Sequence, residues 1–477
     1  MNSGLKSGFL WTSLEKVLIQ IMQFGLGVLI ARYITPEEYG ILGVLMVFIN
    51  ISQVFIDSGL GSALIYNNTL DEDDLQTVFS FNLVVSIVLF CIIILIAKPF
   101  EIFLNMNDFA LYLGVSAIVL IINAFILVPT SILRVKMDFK SIAISNLLST
   151  LLSGILGVMF AIYGYGIWAL ILQLLTKSIT QMLILGYTSR WKPKLKFYRH
   201  SFITMYKYSL AIFGTSCITK ISSEGISFFV AKILTPYNLG IFTRANQFVS
   251  AAGTALGSIF GTVLFPAFSS MKNNMVDFYR LYNRMLTIQS LVIIPLFILL
   301  AVLSKPIVLL LLTEKWIDVI PILQILAIGR IFSTISYVTE QAICSIGRSD
   351  LEFKQQRDKI IVKLLFVFGG FKFGLLGIAV ADALSTILSF WITNHYAKKC
   401  LLIKSTEQLR SILPFLLFSI LSACLTLYVI TFTHSLVQGI FLGTAIFTSL
   451  YLMLLYLFKR TLLIKILEAI KKYIACS

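Results

Sequence analysis

Long apolar segments recur along this chain, and they restrict it to folds built from helices that cross a membrane. Fourteen segments of roughly 20 predominantly apolar residues are separated by short polar connections. Inside a bilayer no water satisfies open backbone groups, so a segment of this length crosses as a helix. Apolar residues make up 58% of the chain and charged residues 13%, against roughly a half and a quarter in soluble domains. We therefore predict an all-α polytopic membrane protein.

The predicted spans follow one another closely. They are 8–31, 40–63, 77–97, 109–129, 141–163, 166–187, 208–231, 240–263, 285–303, 319–346, 355–371, 375–396, 411–432 and 437–458. The eleventh has the shortest clean apolar run and contains Lys363.

A ten-residue pattern occurs twice, 200 positions apart. Ala31–Gly40 reads ARYITPEEYG and Ala231–Gly240 reads AKILTPYNLG, each between two apolar runs. Proline suits the first turn of a helix, so each copy predicts a hairpin between two spans. The recurrence predicts two parallel six-helix repeats, a 1–187 lobe and a 208–396 lobe, joined by a basic linker at 188–207. Residues 397–477 then add two helices and a basic tail.

The basic residues predict the orientation of the chain. If the N-terminus is cytoplasmic, 26 of the 38 Lys and Arg residues fall in cytoplasmic segments or at the span ends next to them, and six fall in external segments. Such an imbalance places both termini in the cytoplasm. The net charge of +16 is spread over these connections, so it does not indicate a nucleic-acid-binding domain.

Polar residues inside the spans form two related stripes. Lys16, Gln20 and Gln23 share one face of the first helix, and Lys220, Ser223 and Ser227 share one face of the seventh. The alternative is hydrogen bonding between helices. Lysine is costly in lipid, which favours a water-filled cavity between two bundles.

Other charges within the spans extend this set. We assign Lys177, Arg244 and Arg330 to the substrate cavity, although Arg244 and Lys363 could instead reach the interface from span ends. Five carboxylates within the spans are either coupling groups or ion-pair partners: Glu15, Asp57, Glu224, Glu340 and Asp382. As ion-pair partners, Glu340 and Asp382 would contact Arg330 or Lys177, and Glu224 would contact Lys220.

Enzyme signatures are missing from the sequence. It contains no G-x-x-x-x-G-K-[ST] phosphate loop and no H-E-x-x-H zinc motif, and its three histidines are scattered. The external connections are too short to hold a catalytic lobe. We therefore expect no catalytic residue, no metal site and no organic cofactor, with H⁺ or Na⁺ as a coupling ion.

Several short segments resemble the Wzx-type polysaccharide repeat-unit flippases, especially the colanic-acid and teichuronic-acid exporter subgroup. The resemblance extends to about Lys459 and rests on Ala31-Arg32 with Pro36 and Tyr39-Gly40, on Asp57-Ser58-Gly59-Leu60, on Val263–Phe268, on Phe278-Tyr279, and on Glu314-Lys315-Trp316 followed by Ile320–Gln324.

This resemblance implies the multidrug/oligosaccharidyl-lipid/polysaccharide exporter fold, with two lobes around a central cavity and two C-terminal helices. It implies alternating-access transport of undecaprenyl-pyrophosphate-linked oligosaccharide in the bacterial inner membrane, in contact with membrane lipids, a polysaccharide polymerase and a chain-length regulator. Two other functions stay open. A drug or small-molecule exporter would share the fold, whereas a membrane polymerase or glycosyltransferase would need a large external loop.

The predicted orientation can be tested by labelling. A cysteine introduced at His434, in the last predicted connection, should react with an impermeant maleimide applied from outside intact cells, whereas Cys476 should react only after permeabilisation. Labelling of both positions from outside would show that the predicted topology is wrong.

Overall fold

The chain forms long helices joined by short connections. A computed structural model describes residues 3–57, 59–67, 71–271, 274–401, 405–433 and 435–476. Its α-helices are α1 (Ser3–Ala31), α2 (Pro36–Asp57), α3 (Leu60–Asn67), α4 (Glu72–Leu104), α5 (Phe109–Val135), α6 (Phe139–Ile162), α7 (Ile167–Ser189), α8 (Arg199–Ile233), α9 (Pro236–Met271), α10 (Met275–Val302), α11 (Ser304–Leu312), α12 (Val319–Ser345), α13 (Ser349–Gly370), α14 (Gly374–Leu401), α15 (Ser405–Ile430) and α16 (Leu436–Cys476). No strand occurs in these ranges.

The helices agree with the predicted membrane spans. Ten stretches of the described residues are long and apolar enough to cross a membrane, and one of them, Asp350–Leu401, contains both α13 and α14. Helices α1, α8 and α9 occupy three further predicted spans but are not among the ten. The predicted spans fall on helices, with the second divided between two, so the prediction of an all-α, multi-pass membrane protein is confirmed.

The second predicted span, 40–63, is two helices and not one. Helix α2 ends at Asp57 and α3 begins at Leu60. Gly59 between them has a φ of +74°, and a Cβ there would lie 2.6 Å from the carbonyl oxygen of Ser209 on α8. A glycine thus allows both the turn and the close approach of α8.

Residues Met1–Arg244 form one compact unit. In it α4 packs on α5, α5 on α7, and α6 on α7, while α1 lies against α6 and α2 against α8. A buried apolar cluster that includes Leu64, Val78 and Phe79 holds α3 and α4 to α5 and α8.

Residues Ala245–Ser477 form the second unit, and the division falls inside α9. Here α10 packs on α12, α12 on α14, and α13 on α14, and α15 lies between α10 and α16. The first three pairs follow the same order as α4–α5, α5–α7 and α6–α7, as a duplicated chain requires. The lobe limits 1–187 and 208–396 stay a prediction.

The basic connection between α7 and α8 is shorter than the predicted 188–207, because only residues 190–198 are non-helical. Its backbone is bound by α4 at alternate residues. The Gln76 amide donates to the Lys192 carbonyl and accepts from the Lys194 N–H, and Ser80 Oγ donates to the Lys196 carbonyl. The Tyr198 N–H donates to Thr77 Oγ1. A hydrogen bond to the Asp73 carboxylate also raises the pKa of the Tyr198 hydroxyl.

The repeated ten-residue pattern is a helix start with a side-chain cap. Thr35 N donates to Glu38 Oε2 at 2.8 Å, and Glu38 N donates back to Thr35 Oγ1 at 3.4 Å. In the second copy Asn238 N donates to Thr235 Oγ1 at 3.2 Å. The first copy is a capping box, and the second has its N-cap bond. Both place proline in the first helical position, where its missing N–H leaves no bond unmade.

The two copies of the pattern contact each other through their glycines. A Cβ on Gly40 would lie 1.7 Å from the Pro236 carbonyl oxygen, and a Cβ on Gly240 would lie 1.8 Å from the Pro36 carbonyl oxygen. The starts of α2 and α9 can therefore approach this closely only without side chains at these two positions.

Gly240→Ala should lower the thermal stability of the purified protein. The added methyl group meets backbone, which no rotamer change relieves, and overpacking of this kind costs about 1–3 kcal/mol. Gly114→Ala in α5 is the matched control, because a Cβ there meets nothing within 4 Å. The measurement is the midpoint of thermal unfolding in detergent. Equal midpoints for the two variants would contradict the glycine contact.

Candidate functional site

The polar stripe predicted on α1 is the open face of that helix. Lys16 and Gln23 are exposed and Gln20 is half-buried, whereas the neighbouring Glu15 is only 8% exposed. The helix thus turns its lysine and glutamines outward from the first unit and its carboxylate inward.

Glu15 is bound by a chain of amides. Asn146 Nδ2 on α6 donates to Glu15 Oε1 at 2.5 Å, and Gln181 Nε2 on α7 donates to Asn146 Oδ1 at 2.8 Å. Among the described residues, Glu15 makes no ion pair. The sequence analysis missed both amides, although each is a polar residue inside an apolar span.

Lys177 lies one turn before Gln181 on α7, so the two side chains share a face of that helix. It is half-buried and makes neither a hydrogen bond nor an ion pair with any residue that the structure describes. A buried lysine without a carboxylate keeps its charge available for an anionic ligand.

On α8, Lys220 and Glu224 are in contact. Their Nζ and Oε1 atoms are 3.4 Å apart, and Asn50 Nδ2 of α2 donates to the same Oε1 at 3.0 Å. The side chain of Lys220 is 43% exposed and that of Glu224 is 17% exposed. The pairing predicted from their spacing is present, and Asn50 is an addition. The side chains of Ser223 and Ser227 lie outside the described residues.

Asp57 at the end of α2 is held by neutral amides. Gln53 Nε2 donates to Asp57 Oδ1 at 2.9 Å, and Asn123 Nδ2 of α5 donates to Gln53 Oε1 at 2.8 Å. This second carboxylate–amide chain repeats the arrangement at Glu15 with residues of other helices.

Arg244 is buried, which disfavours the alternative that it reaches the interface. Its side chain is 4% exposed, and its Nη2 donates to the Gly27 carbonyl of α1 at 2.7 Å. The guanidinium lies 5.2 Å from the centre of the Tyr39 ring, and Tyr39 Oη donates to the same Gly27 carbonyl at 3.3 Å. Two donors from α2 and α9 thus bind one carbonyl of α1.

In the second unit, two carboxylates pair with lysines of α13. Glu340 of α12 is 2.6 Å from Lys359, and Asp382 of α14 is 2.9 Å from Lys363. The direct partners of these carboxylates are therefore lysines of α13, and not Arg330, which the sequence analysis offered as a partner. The two lysines are one turn apart, so a single face of α13 meets both neighbouring helices.

Arg330 of α12 is bound by neutral groups. Its Nη2 donates to Asn246 Oδ1 and to Ser250 Oγ, both at 2.9 Å. It is half-buried and makes no ion pair with a described carboxylate. Its charge is therefore positioned without being neutralised by a contact.

These contacts divide the predicted site residues into two kinds. Three carboxylates, Glu224, Glu340 and Asp382, have lysine partners, whereas Glu15 and Asp57 have amides. Lys16, Lys177 and Arg330 have no carboxylate partner among the described residues. In that part of the chain no group of three His, Cys, Asp or Glu side chains could hold a metal ion.

A family model described as polysaccharide biosynthesis protein matches residues 29–321, more than half of the chain. The chain belongs to this family. The expected relation to polysaccharide export proteins is thereby confirmed.

Curated relatives of this family member cover most of its length. The succinoglycan biosynthesis transport protein ExoT of Rhizobium meliloti is 21% identical over 467 residues, covering 96% of this chain and 94% of ExoT. The lipopolysaccharide biosynthesis protein WzxC of Escherichia coli is 24% identical, covering 81% and 80%. The teichuronic acid biosynthesis protein TuaB of Bacillus subtilis is 23% identical, covering 87% and 86%.

Solved structures show the same fold. The lipid II flippase MurJ in an inward closed conformation has a TM-score of 0.76 and 18% identity, covering 95% of this family member and 99% of MurJ. An inward-facing multidrug resistance MATE family transporter of the MOP superfamily has a TM-score of 0.62 and 14% identity, covering 82% and 98%. The two-lobed MOP fold expected from the sequence is confirmed.

The pair of Lys359 and Glu340 should be energetically coupled. Its side chains are 12% and 20% exposed, so removing one partner leaves the other charge poorly solvated. A double-mutant cycle with Lys359→Gln and Glu340→Gln should give a coupling on the order of 1–3 kcal/mol in the free energy of unfolding.

The exposed pair of Arg280 and Asp277, with side chains 76% and 46% exposed, is the control for this cycle. Its coupling should be below about 1 kcal/mol. Equal coupling energies in the two cycles would contradict the expectation that burial strengthens the Lys359–Glu340 pair.

Proposed function

We propose that this protein is a flippase that carries undecaprenyl-pyrophosphate-linked oligosaccharide repeat units across the bacterial inner membrane by alternating access. Its family and the names of its relatives support a role in polysaccharide export. Its fold, shared with a lipid II flippase, supports transport over catalysis.

The observation that carries this proposal is the presence, inside apolar helices, of cations that make no ion pair with a described carboxylate. Arg330 is held by Asn246 and Ser250, and Lys177 has no described partner. A charge in the apolar part of a membrane is retained where it has a function. A pyrophosphate group needs such cations, because crossing hydrocarbon without them is prohibitive.

Each predicted site residue then has a role in the substrate path. Cationic side chains bind the pyrophosphate, and amide and hydroxyl side chains bind sugar hydroxyls: Lys16, Gln20, Gln23, Lys177, Lys220, Ser223, Ser227, Arg244 and Arg330. For Arg244 the bond to Gly27 adds a structural role. The polyprenyl tail stays in the lipid, so only the polar headgroup needs the path.

The contacts favour this substrate over a cationic drug. A site for organic cations needs carboxylates free to meet them. Here Glu224, Glu340 and Asp382 already contact lysines. The proposed product is an oligosaccharide on the external face, where a polymerase and its chain-length regulator would act on it.

Lys220→Ala should reduce translocation of a lipid-linked oligosaccharide in proteoliposomes by about tenfold or more, because a charge-assisted contact to the pyrophosphate is lost. Lys220→Arg should keep part of the activity, since the charge remains and the geometry changes. Arg280→Ala, which breaks an exposed ion pair outside the proposed path, should leave transport unchanged.

The double variant Lys220→Ala with Glu224→Ala separates substrate binding from ion pairing. If Lys220 only neutralises Glu224, removing both restores transport. A recovery of full activity would take Lys220 out of the proposed site.

We further propose that Glu15 carries the coupling ion, a proton. It is the buried carboxylate whose described partners are the neutral amides Asn146 and Gln181. An amide can bond either protonation state of a carboxyl group, whereas an adjacent lysine would fix it as the anion.

Glu15→Gln should therefore remove the dependence of transport on a proton gradient while keeping the hydrogen bond to Asn146. Initial rates in proteoliposomes with and without an imposed pH gradient should become equal. Asp382→Asn, which alters a lysine-paired carboxylate, is the comparison and should keep the dependence. A Glu15→Gln variant that still responds to the gradient would refute this assignment.

A further inference from the structure

A polar cavity lies in the second unit, and none of its lining residues belongs to the proposed substrate path. It has a volume of about 510 Å³ and is formed by α10, α15 and the end of the apolar part of α16. A volume of this order suits a small ligand or a lipid headgroup. Its polar lining consists of Asn283, Thr287, Glu407, Arg410, Ser411 and Lys459.

The cavity lies at the level of the membrane surface. The apolar stretches Thr406–Ile430 and Leu436–Arg460 begin and end beside it. Helix α16 is also interrupted there, since Lys459 has non-helical backbone angles of φ −137° and ψ 37°. The lysine is thus placed where the helix leaves the apolar layer and headgroups are found.

Two cations line this cavity. Within the described part of the chain, neither the Arg410 guanidinium nor the Lys459 ammonium makes an ion pair or a hydrogen bond. Pro414 lies one turn after Arg410 and has no backbone N–H, so it makes no helical hydrogen bond to the Arg410 carbonyl. Two cations and one carboxylate, Glu407, leave the lining with a net positive charge, which favours an anionic oxygen ligand.

Apolar side chains continue from the cavity toward the lipid. Phe415 is 2% exposed and forms part of its lining. On the neighbouring surface Leu417 and Leu457 are 50% and 60% exposed, and the Phe418 and Phe458 rings stack with centres 5.6 Å apart. A ligand with a phosphate and acyl chains can contact both the polar cavity and the apolar surface beside it, whereas free phosphate can contact only the cavity.

We propose that this cavity is a binding site for the phosphate headgroup of an anionic membrane phospholipid. Basic pockets between membrane helices on the cytoplasmic side commonly take such headgroups. Glu407 limits the site to one phosphate by opposing a second negative charge. The site is separate from the proposed substrate path, and its occupancy is measurable without transport.

Native mass spectrometry of the full-length protein tests the proposal. The delipidated protein is titrated with dioleoylphosphatidylglycerol and, separately, with dioleoylphosphatidylcholine. The double variant Arg410→Gln and Lys459→Gln should bind the anionic lipid about tenfold or more weakly. The control is Arg284→Gln, because Arg284 is exposed beside Asn283 but does not line the cavity. This control should bind the anionic lipid like the parent protein.

A variant that is expected to bind more tightly keeps the proposal testable if the double variant does not fold. Glu407→Gln removes the repelling carboxylate and should tighten binding of the anionic lipid severalfold. Equal binding of both lipids by the parent protein, or unchanged affinity in both the double and the Glu407 variants, would overturn the proposal. Preferential binding of undecaprenyl phosphate through the same two cations would overturn it in favour of the substrate lipid.

Discussion

The reciprocal contact of Gly40 with Pro236 and of Gly240 with Pro36 is the constraint around which the first unit is arranged. One contact of this kind needs a helix start that offers a carbonyl and a helix start that lacks a side chain. A duplicated pattern provides both features in each copy, so the contact forms twice. Arg244, one turn beyond Gly240, then binds the Gly27 carbonyl and connects α1 to the same place.

Charge in the apolar layer follows two different patterns in this protein. Lysines of α13 neutralise the carboxylates of α12 and α14 at short distance, and the two ion pairs link α13 to both helices. Around Glu15 and Arg330 the partners are amides and a hydroxyl, which orient a charged group without cancelling its charge. The first pattern suits a fixed structure, and the second suits groups that exchange a proton or an anion.

Helix positions were predictable from the sequence because lipid leaves the backbone few alternatives, and the apolar runs mark each span. The Lys220–Glu224 contact was also predictable, since it depends only on local helical spacing. Contacts between distant helices were not. Asp382 contacts Lys363 because α13 packs on α14, and no local spacing in the sequence relates these two residues. Gly59 follows α2 in a left-handed conformation, and the triplet Asp57-Ser58-Gly59 was a turn signal that the single predicted span 40–63 passed over.

The extended segment between α7 and α8 has a consequence for how related chains can diverge. Its bonds to Gln76, Thr77 and Ser80 all use main-chain groups of alternate residues. Exchange of its exposed lysines therefore leaves the attachment intact. Inserting or deleting one residue would instead swap the bonded and unbonded backbone positions. Evolution in this segment is consequently less restricted in its exposed lysines than in its length.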